Sequence, residues 1–518
     1  MKKMTFWSSA LLALSVSVLG SASIAQDAPQ TLSNDLIRMP LPKGGEAYGN
    51  IDGKHLWQYV VEQAKISTDY RDNGHPQWWG RIVGTPGDEA DVQWLLNRYR
   101  KIGLSDVHAQ TVKFFRPQYE PKFWSVSLVG EGKTINLVSA QPPYGGTGTD
   151  GKELDLEIVY VGLASEADFA GRDVRGKAVL YVKELRNHNL DADVVKRIMS
   201  HGAAAIFAFD LGGENHKTQA YPTPSNIPTF DLGTEDGKTV RNSIGASAGA
   251  SPHLKFRLDV EWRSDQQSYL VWGALPGATD ETIYVVAHRD GWFEAAGDNA
   301  SGVAVMLGLA EHYAKIPKSQ RRRTIVFIGT DGHHDAGTFG ESWLVANRAK
   351  FFSKTALLIN AEHPAEVMRH GVHAVRDHYA GSSTAVIPNE WYAGGASRPR
   401  LTKIAGDAFR EFGVPVWEKA DDQRLGGGDM VEFSWFVPGV VVESNDFDNM
   451  HTEADAPETV AWTGLEAMTR AYAKIIDAVN KIPLKELQRP EETGRARQGL
   501  NLARCQAWIQ DSTKDCVP

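Results

Sequence analysis

An imidazole and two carboxylates stand close together in the stretch YVVAHRDGWFEAAGDNASG, residues 284–302: His288, Asp290 and Asp298. The apolar, β-branched run 283–287 predicts a buried parallel strand that ends at His288, with Asp290 two residues on. A glycine-punctuated loop follows, then Asp298-Asn299-Ala300-Ser301-Gly302 and an apolar-periodic helix over 303–314. Open α/β sheets bind ligands in the crevice at the carboxyl ends of their strands, so an imidazole and a carboxylate delivered there are placed to hold a metal ion. Taken alone, the same residues also read as a hydrogen-bonded strand-end pair and a helix cap.

The elements that must position such a site can be followed along the chain. Residues 26–53 are rich in Pro and Gly without sustained period and read as a linker or wrapping arm. A helix is expected over 55–71. A second follows the Gly84-Thr85-Pro86-Gly87 turn over 88–102 and stops at Gly103, with a strand over 107–115 after it. Between 150 and about 260 the texture changes to short strands and glycine turns, at 156–162, 174–180, 201–206 and 227–230. The core resumes near Tyr269. Arg321, Arg322 and Arg323 read as a solvated entry to a strand over 324–329, with an anion site as the other reading. That strand leads into Thr330-Asp331-Gly332-His333-His334-Asp335-Ala336-Gly337. A strand over 356–360 delivers Glu362 and His363. Gly426-Gly427-Gly428-Asp429 precedes a strand over 439–443, and Asn449-Met450-His451-Thr452-Glu453-Ala454-Asp455 leads into a helix over 459–480. Strands alternating with helices predict an α/β fold, a mostly parallel mixed sheet sandwiched by helices.

The string His288, Asp290 and Asp298-Asn299-Ala300-Ser301-Gly302 resembles the first metal motif of the aminopeptidase-like zinc exopeptidases. That family holds bacterial leucyl aminopeptidases, glutamate carboxypeptidase and the non-catalytic transferrin receptor. The order helix, Gly-Thr-Pro-Gly turn, helix, Gly-Leu, strand resembles the opening of the same domain. The resemblance implies two zinc ions with five protein ligands, and four positions map directly: His288, Asp298 as the bridging carboxylate, Glu362 and His451. Asp290 would then orient His288 by accepting its other ring N–H. The 150–260 segment looks like the small β-rich protease-associated domain that this family inserts, whose implied role is to cover the active-site mouth. Simple packing is the other reading. The implied partition is a signal peptide 1–25, an arm 26–53, peptidase parts 54–149 and 261–485 around a 150–260 insertion, and a tail 486–518.

The chain departs from the family at Gly332-His333-His334, where catalytic members carry Gly-Glu-Glu. Matching from Gly332 makes His333 the general base and His334 a zinc ligand. Matching from Gly337 makes His334 the base and Asp335 the ligand. Asp429 resembles the Asp of the family's Ser-Asp-His segment, and its role stays open. With one carboxylate fewer than usual the second ion would be held less tightly, so one or two zinc ions are expected.

The formal charge is −9 and the charged fraction 23%. That balance speaks against nucleic acid or an anionic membrane as partner. Two lysines, an apolar run over 10–19 and small residues Ser23 and Ala25 predict a secretory signal peptide cleaved after about Ala25. A secreted or periplasmic protein is therefore expected. Cys505 and Cys516 are the only cysteines, and in an oxidising compartment they are expected to pair. The expected function is a secreted metal-dependent hydrolase of peptide or related amide bonds, an exopeptidase acting on a peptide or amino-acid amide, with oligomers possible. The alternatives are a receptor-like binding protein and a one-zinc acyl transferase resembling glutaminyl cyclase. Trp292 and Phe293 either line an apolar pocket or pack.

Overall fold

The apolar run around Tyr284 forms the strand Thr282–His288, buried at every residue but the first. It lies parallel to Thr324–Thr330 on one side and to Thr355–Ala361 on the other, and its register sets His288 beside Thr330. In a strand, alternate side chains face opposite layers. Ile283, Val285 and Ala287 pack into one core and Tyr284 and Val286 into another. A run with no visible alternation is thus a strand covered on both faces, as a parallel sheet requires. The computed structural model describes residues 36–114, 117–183, 190–211, 214–221, 225–246, 251–334, 340–367, 389–394, 398–419, 428–434, 436–444 and 449–488. The predicted signal peptide, Asp335, Cys505 and Cys516 lie outside them.

Among the described residues the main sheet has eight strands. In order they are Val416–Lys419, Asn389–Tyr392, Gly439–Glu443, Thr355–Ala361, Thr282–His288, Thr324–Thr330, Gln267–Leu275 and Ser105–Lys113. The middle four run parallel, and antiparallel partners flank them on both sides. The expected mostly parallel mixed sheet is therefore present. Helices Gly53–Asp72, Pro86–Ile102, Gly302–Ala314, Pro399–Phe412 and Trp462–Asn480 supply one covering layer, through residues such as Leu56, Leu95, Val303, Phe409 and Leu465. Leu344, Phe352 and Phe433 cover the other face. The first helix is capped by Asp52, which accepts from the N–H groups of Lys54 and His55. The second is capped by Thr85, which accepts from the Asp88 amide, and by Gly103, whose φ of 89° needs glycine.

Among the described residues a second sheet has seven strands, in the order Lys133–Asn136, Gln118–Gly130, His253–Arg263, Leu154–Tyr160, Ala178–Val182, Ala205–Phe209 and Thr229–Leu232. It takes in two strands that precede residue 150. Its last four strands are parallel, with helices Ala192–Ser200 and Thr234–Ala246. No helix among the described residues is long and apolar enough to cross a membrane.

Two expectations need correction. The three arginines are not a solvated entry, for Arg323 is fully buried and Arg321 nearly so. Arg323 donates to the carbonyls of Val479 and Ile482, Arg322 to Asn480 and Arg321 to Tyr313. These carbonyls lie at or just past the C-termini of the helices Trp462–Asn480 and Gly302–Ala314, where unpaired acceptors and the helix dipole favour cations. The long final helix also starts later than 459, at Trp462. The amide of Ala461 bonds Ala365, and Thr459 accepts from the amide of Val367, so this backbone pairs with a neighbouring loop instead of continuing the helix.

A candidate metal centre at the strand ends

The carboxyl ends of three adjacent parallel strands bring His288, His333, His334, Glu362 and His363 together, and the loop containing Asp298 and the loop containing His451 close over them. Asp298 lies at the middle. Its Oδ1 is 3.1 Å from His288 Nε2, and its Oδ2 is 3.1 Å from His334 Nε2 and 3.2 Å from His451 Nε2. Glu362 Oε1 lies 2.9 Å from the same Nε2 of His288. The donors thus fall into two groups, His288 with Glu362 and His334 with His451, sharing one carboxylate.

Each donor is held from behind. Asp455 accepts from the amides of Gly297 at 2.6 Å and Asp298 at 3.1 Å, fixing the loop that carries the shared carboxylate. Asn299 ties that loop to the Glu362 strand, donating to Ala361 O and accepting from the His363 amide. Asn360 donates to Glu362 Oε2 at 3.0 Å. Gly428, with φ of 52°, lies so close that a Cβ there would be 2.6 Å from Glu362 Cγ, which leaves room for glycine alone.

The electrostatics describe a nest of carboxylates compensated by protons. Burial would raise the Asp298 pKa, yet the surrounding histidines hold it well below the usual carboxylate range. Burial likewise opposes the shift at Glu362, which His288 brings down to about 2. Burial disfavours imidazolium at His334, but Asp298 and Asp290 raise its pKa to about 9. His288 is raised well above its ordinary value against burial, by Glu362, Asp290 and Asp298. His451 goes the other way, to about 4, because burial outweighs its bond to Asp298.

This donor set fits a divalent cation. Asp298 Oδ1 is buried and finds no hydrogen-bond partner among the described residues, although His288 Nε2 is close. A buried carboxylate oxygen without a hydrogen bond, among imidazoles whose ring protons a metal would displace, is what an ion would occupy, and imidazole with carboxylate suits zinc-like cations. His363, buried beside Asp298 and Glu362, is a further donor.

All five expected ligand positions, His288, Asp298, His334, Glu362 and His451, meet here. Asp290 lies behind two imidazoles. Its backbone carbonyl, at 3.2 Å, is nearer to His288 Nδ1 than its carboxylate at 3.6 Å. The carboxylate accepts from the His334 amide at 3.0 Å and lies 3.3 Å from His334 Nδ1. His333 stacks on His288, with ring centroids 4.3 Å apart, and its Nδ1 is 2.7 Å from Asp429 Oδ1. Trp292 packs against His334 and His451, whereas Phe293 turns away to Trp79. Sequence reasoning missed Tyr221, whose ring lies 6.0 Å from His334 and 4.9 Å from His451. It also missed the buried Arg289, set among Asp88, Asp91 and Asp331 directly behind His288. No spacing pattern links Tyr221 to the site, and Arg289, although it stands between His288 and Asp290, carries no local sign of its burial among carboxylates.

Comparison with known proteins gives the same direction. The model of peptidase family M28 matches residues 271–476. Aminopeptidase YwaD of Bacillus subtilis (strain 168) is 25% identical over 277 residues, which is 51% of this chain and 54% of that protein. The match thus spans about half the length of that curated relative. Among solved structures, a peptidase M28 precursor from Shewanella amazonensis SB2B superposes with a TM-score of 0.63 at 17% identity, covering 86% of this chain and 98% of that one. BSAP, a zinc aminopeptidase from Bacillus subtilis, gives 0.59 at 16% identity, covering 85% and 99%. At these identities the structural matches establish the fold.

Proposed function

From the premise that residues 271–476 form a domain of peptidase family M28, we propose that the protein is a zinc-dependent hydrolase of peptide or related amide bonds, an exopeptidase exported from the cell. The observation that carries this reading is Asp298, whose two oxygens face two different histidine groups. On this reading His288, Asp298 and Glu362 hold one zinc ion, and Asp298, His334 and His451 hold a second. Zinc bound there would supply the Lewis acidity that activates a water and polarises the scissile carbonyl.

The protein's own residues do the rest. A carboxylate 2.7 Å from His333 Nδ1 keeps the proton on that nitrogen and leaves Nε2 with a free lone pair. His333 offers a ring nitrogen within 4.8 Å of donor atoms on His288 and Glu362, so it is placed to take a proton from a water in the cleft. It is part-exposed, as a base exchanging protons with substrate and solvent must be, whereas His334 is buried among ligands. This supports the register in which His333 is the base and His334 the ligand. Asp290 then braces the His334 and His288 rings, and Trp292 walls the His334 side.

Removal of residues 1–25 on export and a protease-associated role for the 150–260 segment belong to the same proposal. The test is direct. The mature protein should contain one to two zinc ions by elemental analysis and hydrolyse members of a panel of amino-acid anilides, dipeptides and amino-acid amides. A zinc-replete protein inert across that panel would favour a binding role, and a protein without metal would overturn the reading.

A further inference from the structure

Residues 217–221 belong to the β-rich unit, between its strands Ala205–Phe209 and Thr229–Leu232. They nevertheless dock on the loop of His451, more than 200 residues later in the chain. Thr218 forms an antiparallel bridge with Thr452. The Gln219 amide donates to the His451 carbonyl at 2.8 Å, and the Glu453 amide donates to Lys217 O at 3.1 Å. The Lys217 amide in turn reaches Glu453 Oε1 at 3.2 Å. The segment is anchored at its other side: the buried Gln219 side chain accepts from Gln141 at 2.7 Å and donates to Pro142 O at 3.1 Å.

These contacts bear on a residue that needs holding. His451 has φ of 59°, a left-handed conformation that L-residues other than glycine seldom adopt unless neighbours impose it. The Gln219 amide bonds His451 at its own carbonyl, at the strained residue itself. Two residues further on, Tyr221 lies nearly parallel to the His334 ring at 6.0 Å and edge-on to His451 at 4.9 Å. Trp292 meets the same two rings at 4.7 and 5.0 Å and touches Tyr221 at 5.6 Å. The two imidazoles that face Asp298 Oδ2 are therefore gripped by a pair of aromatic rings, Tyr221 from the β-rich unit and Trp292 from the stretch that follows His288.

We infer that residues 217–221 are a strap that sets the His334–His451 half of the metal centre, with Tyr221 and Gln219 as positioning residues, so that the β-rich unit is a working part of that half-site. This rests on the proposed reading that ions bind at Asp298, and it adds a selectivity to it. The strap acts on the ion held by Asp298, His334 and His451, while the ion held by His288, Asp298 and Glu362 depends on the peptidase unit's own strands. Loss of a group that orients a metal-bound histidine commonly costs about 10- to 100-fold in metal affinity.

The test is a competition titration of zinc against a chromophoric chelator on the full chain, comparing wild type with Tyr221→Ala, Tyr221→Phe and Gln219→Pro, the last of which removes the amide that holds His451. Tyr221→Ala and Gln219→Pro should weaken one of two zinc ions by about 10- to 100-fold and leave the other at its wild-type affinity. Tyr221→Phe, which keeps the ring, should hold the weakened ion more tightly than Tyr221→Ala does, and equal loss in the two would overturn the role of the ring. If Gln219→Pro does not fold, Tyr221→Ala decides the matter alone, because it removes a side chain at the cleft wall and no backbone bond. Retention of both affinities in Tyr221→Ala, or equal weakening of both ions, would overturn the strap. If wild type holds one ion only, His451→Ala tells which half-site it fills: an ion released by both His451→Ala and Tyr221→Ala supports the strap, and an ion kept by Tyr221→Ala but released by His451→Ala, or kept by both, overturns it. A wild type that takes up no zinc at all overturns the metal reading itself, a result recognisable before any variant is made.

Discussion

Asp429 Oδ1 lies 2.7 Å from Nδ1 of His333, and its other oxygen accepts from Thr330 Oγ1 at 3.3 Å. A carboxylate anchored at one oxygen and facing an imidazole at the other orients the ring and stabilises the cation formed when the ring takes a proton. That pairing is the physical basis for the proposed role of His333 as a base.

His333→Ala should therefore lower turnover by roughly 10²- to 10⁴-fold, the usual worth of a positioned general base, and leave the zinc content nearly unchanged. His333→Glu should retain or raise activity. Asp429→Asn should reduce turnover at unchanged zinc content, because an amide orients the ring without balancing its charge. Loss of zinc from His333→Ala, by elemental analysis, would make His333 a ligand instead.

Asp298→Ala should remove most of the bound metal, since the one carboxylate faces both histidine groups. Loss of a single ion would restrict Asp298 to one group, and full zinc content would end its bridging role.

Zinc uptake should release protons. In the metal-free protein Asp298 and Asp290, against the opposing effect of burial, raise His334 to about 9 from an ordinary 6.5. The proton on His334 therefore stabilises the metal-free fold fully below about 6.5, and that contribution is lost as pH rises through about 9. A cation must displace that proton, so apparent zinc affinity should rise between pH 6 and 8 by about tenfold per pH unit for each proton released. Calorimetry in buffers of different ionisation enthalpy counts the protons; an affinity flat across that range would contradict the site electrostatics.

Arg289→Ala should destabilise the fold by roughly 3–5 kcal/mol, as removal of one partner from a buried ionic cluster does. Arg289 is fully buried, paired with Asp88 and Asp91, donating to Tyr269 O at 2.8 Å and lying 3.6 Å from Asp331. Burial, against the pull of Arg289, already pushes Asp91 up to about 6 and Asp331 up to about 7. Without the guanidinium these carboxylates would lose their main compensation. A lowered urea midpoint measures the effect, and an unchanged midpoint would show that protonation of the acids makes the arginine dispensable.

The amino-acid sequence by itself determined the sheet and the points where chemistry could sit. Thr282–His288, Thr324–Thr330, Thr355–Ala361 and Gly439–Glu443 announce themselves as short apolar β-branched runs, and a strand buried on both faces has no other composition open to it. Because parallel strands end on one side, the residues just beyond them, His288, His333, His334 and Glu362, had to share a crevice. What only the tertiary structure decided is which groups stand behind these. Arg323 reads as a solvated charge until the end of the helix Trp462–Asn480 brings carbonyls to it from some 156 residues away. Asp290 reads as the partner of His288 until the fold sets its carboxylate under His334 as well. Tyr221 carries no signal in a loop of another unit, since a ring contact has no period and no spacing rule. Local patterns record the burial of an element's own face, whereas contacts between side chains hundreds of residues apart exist only after the units have packed.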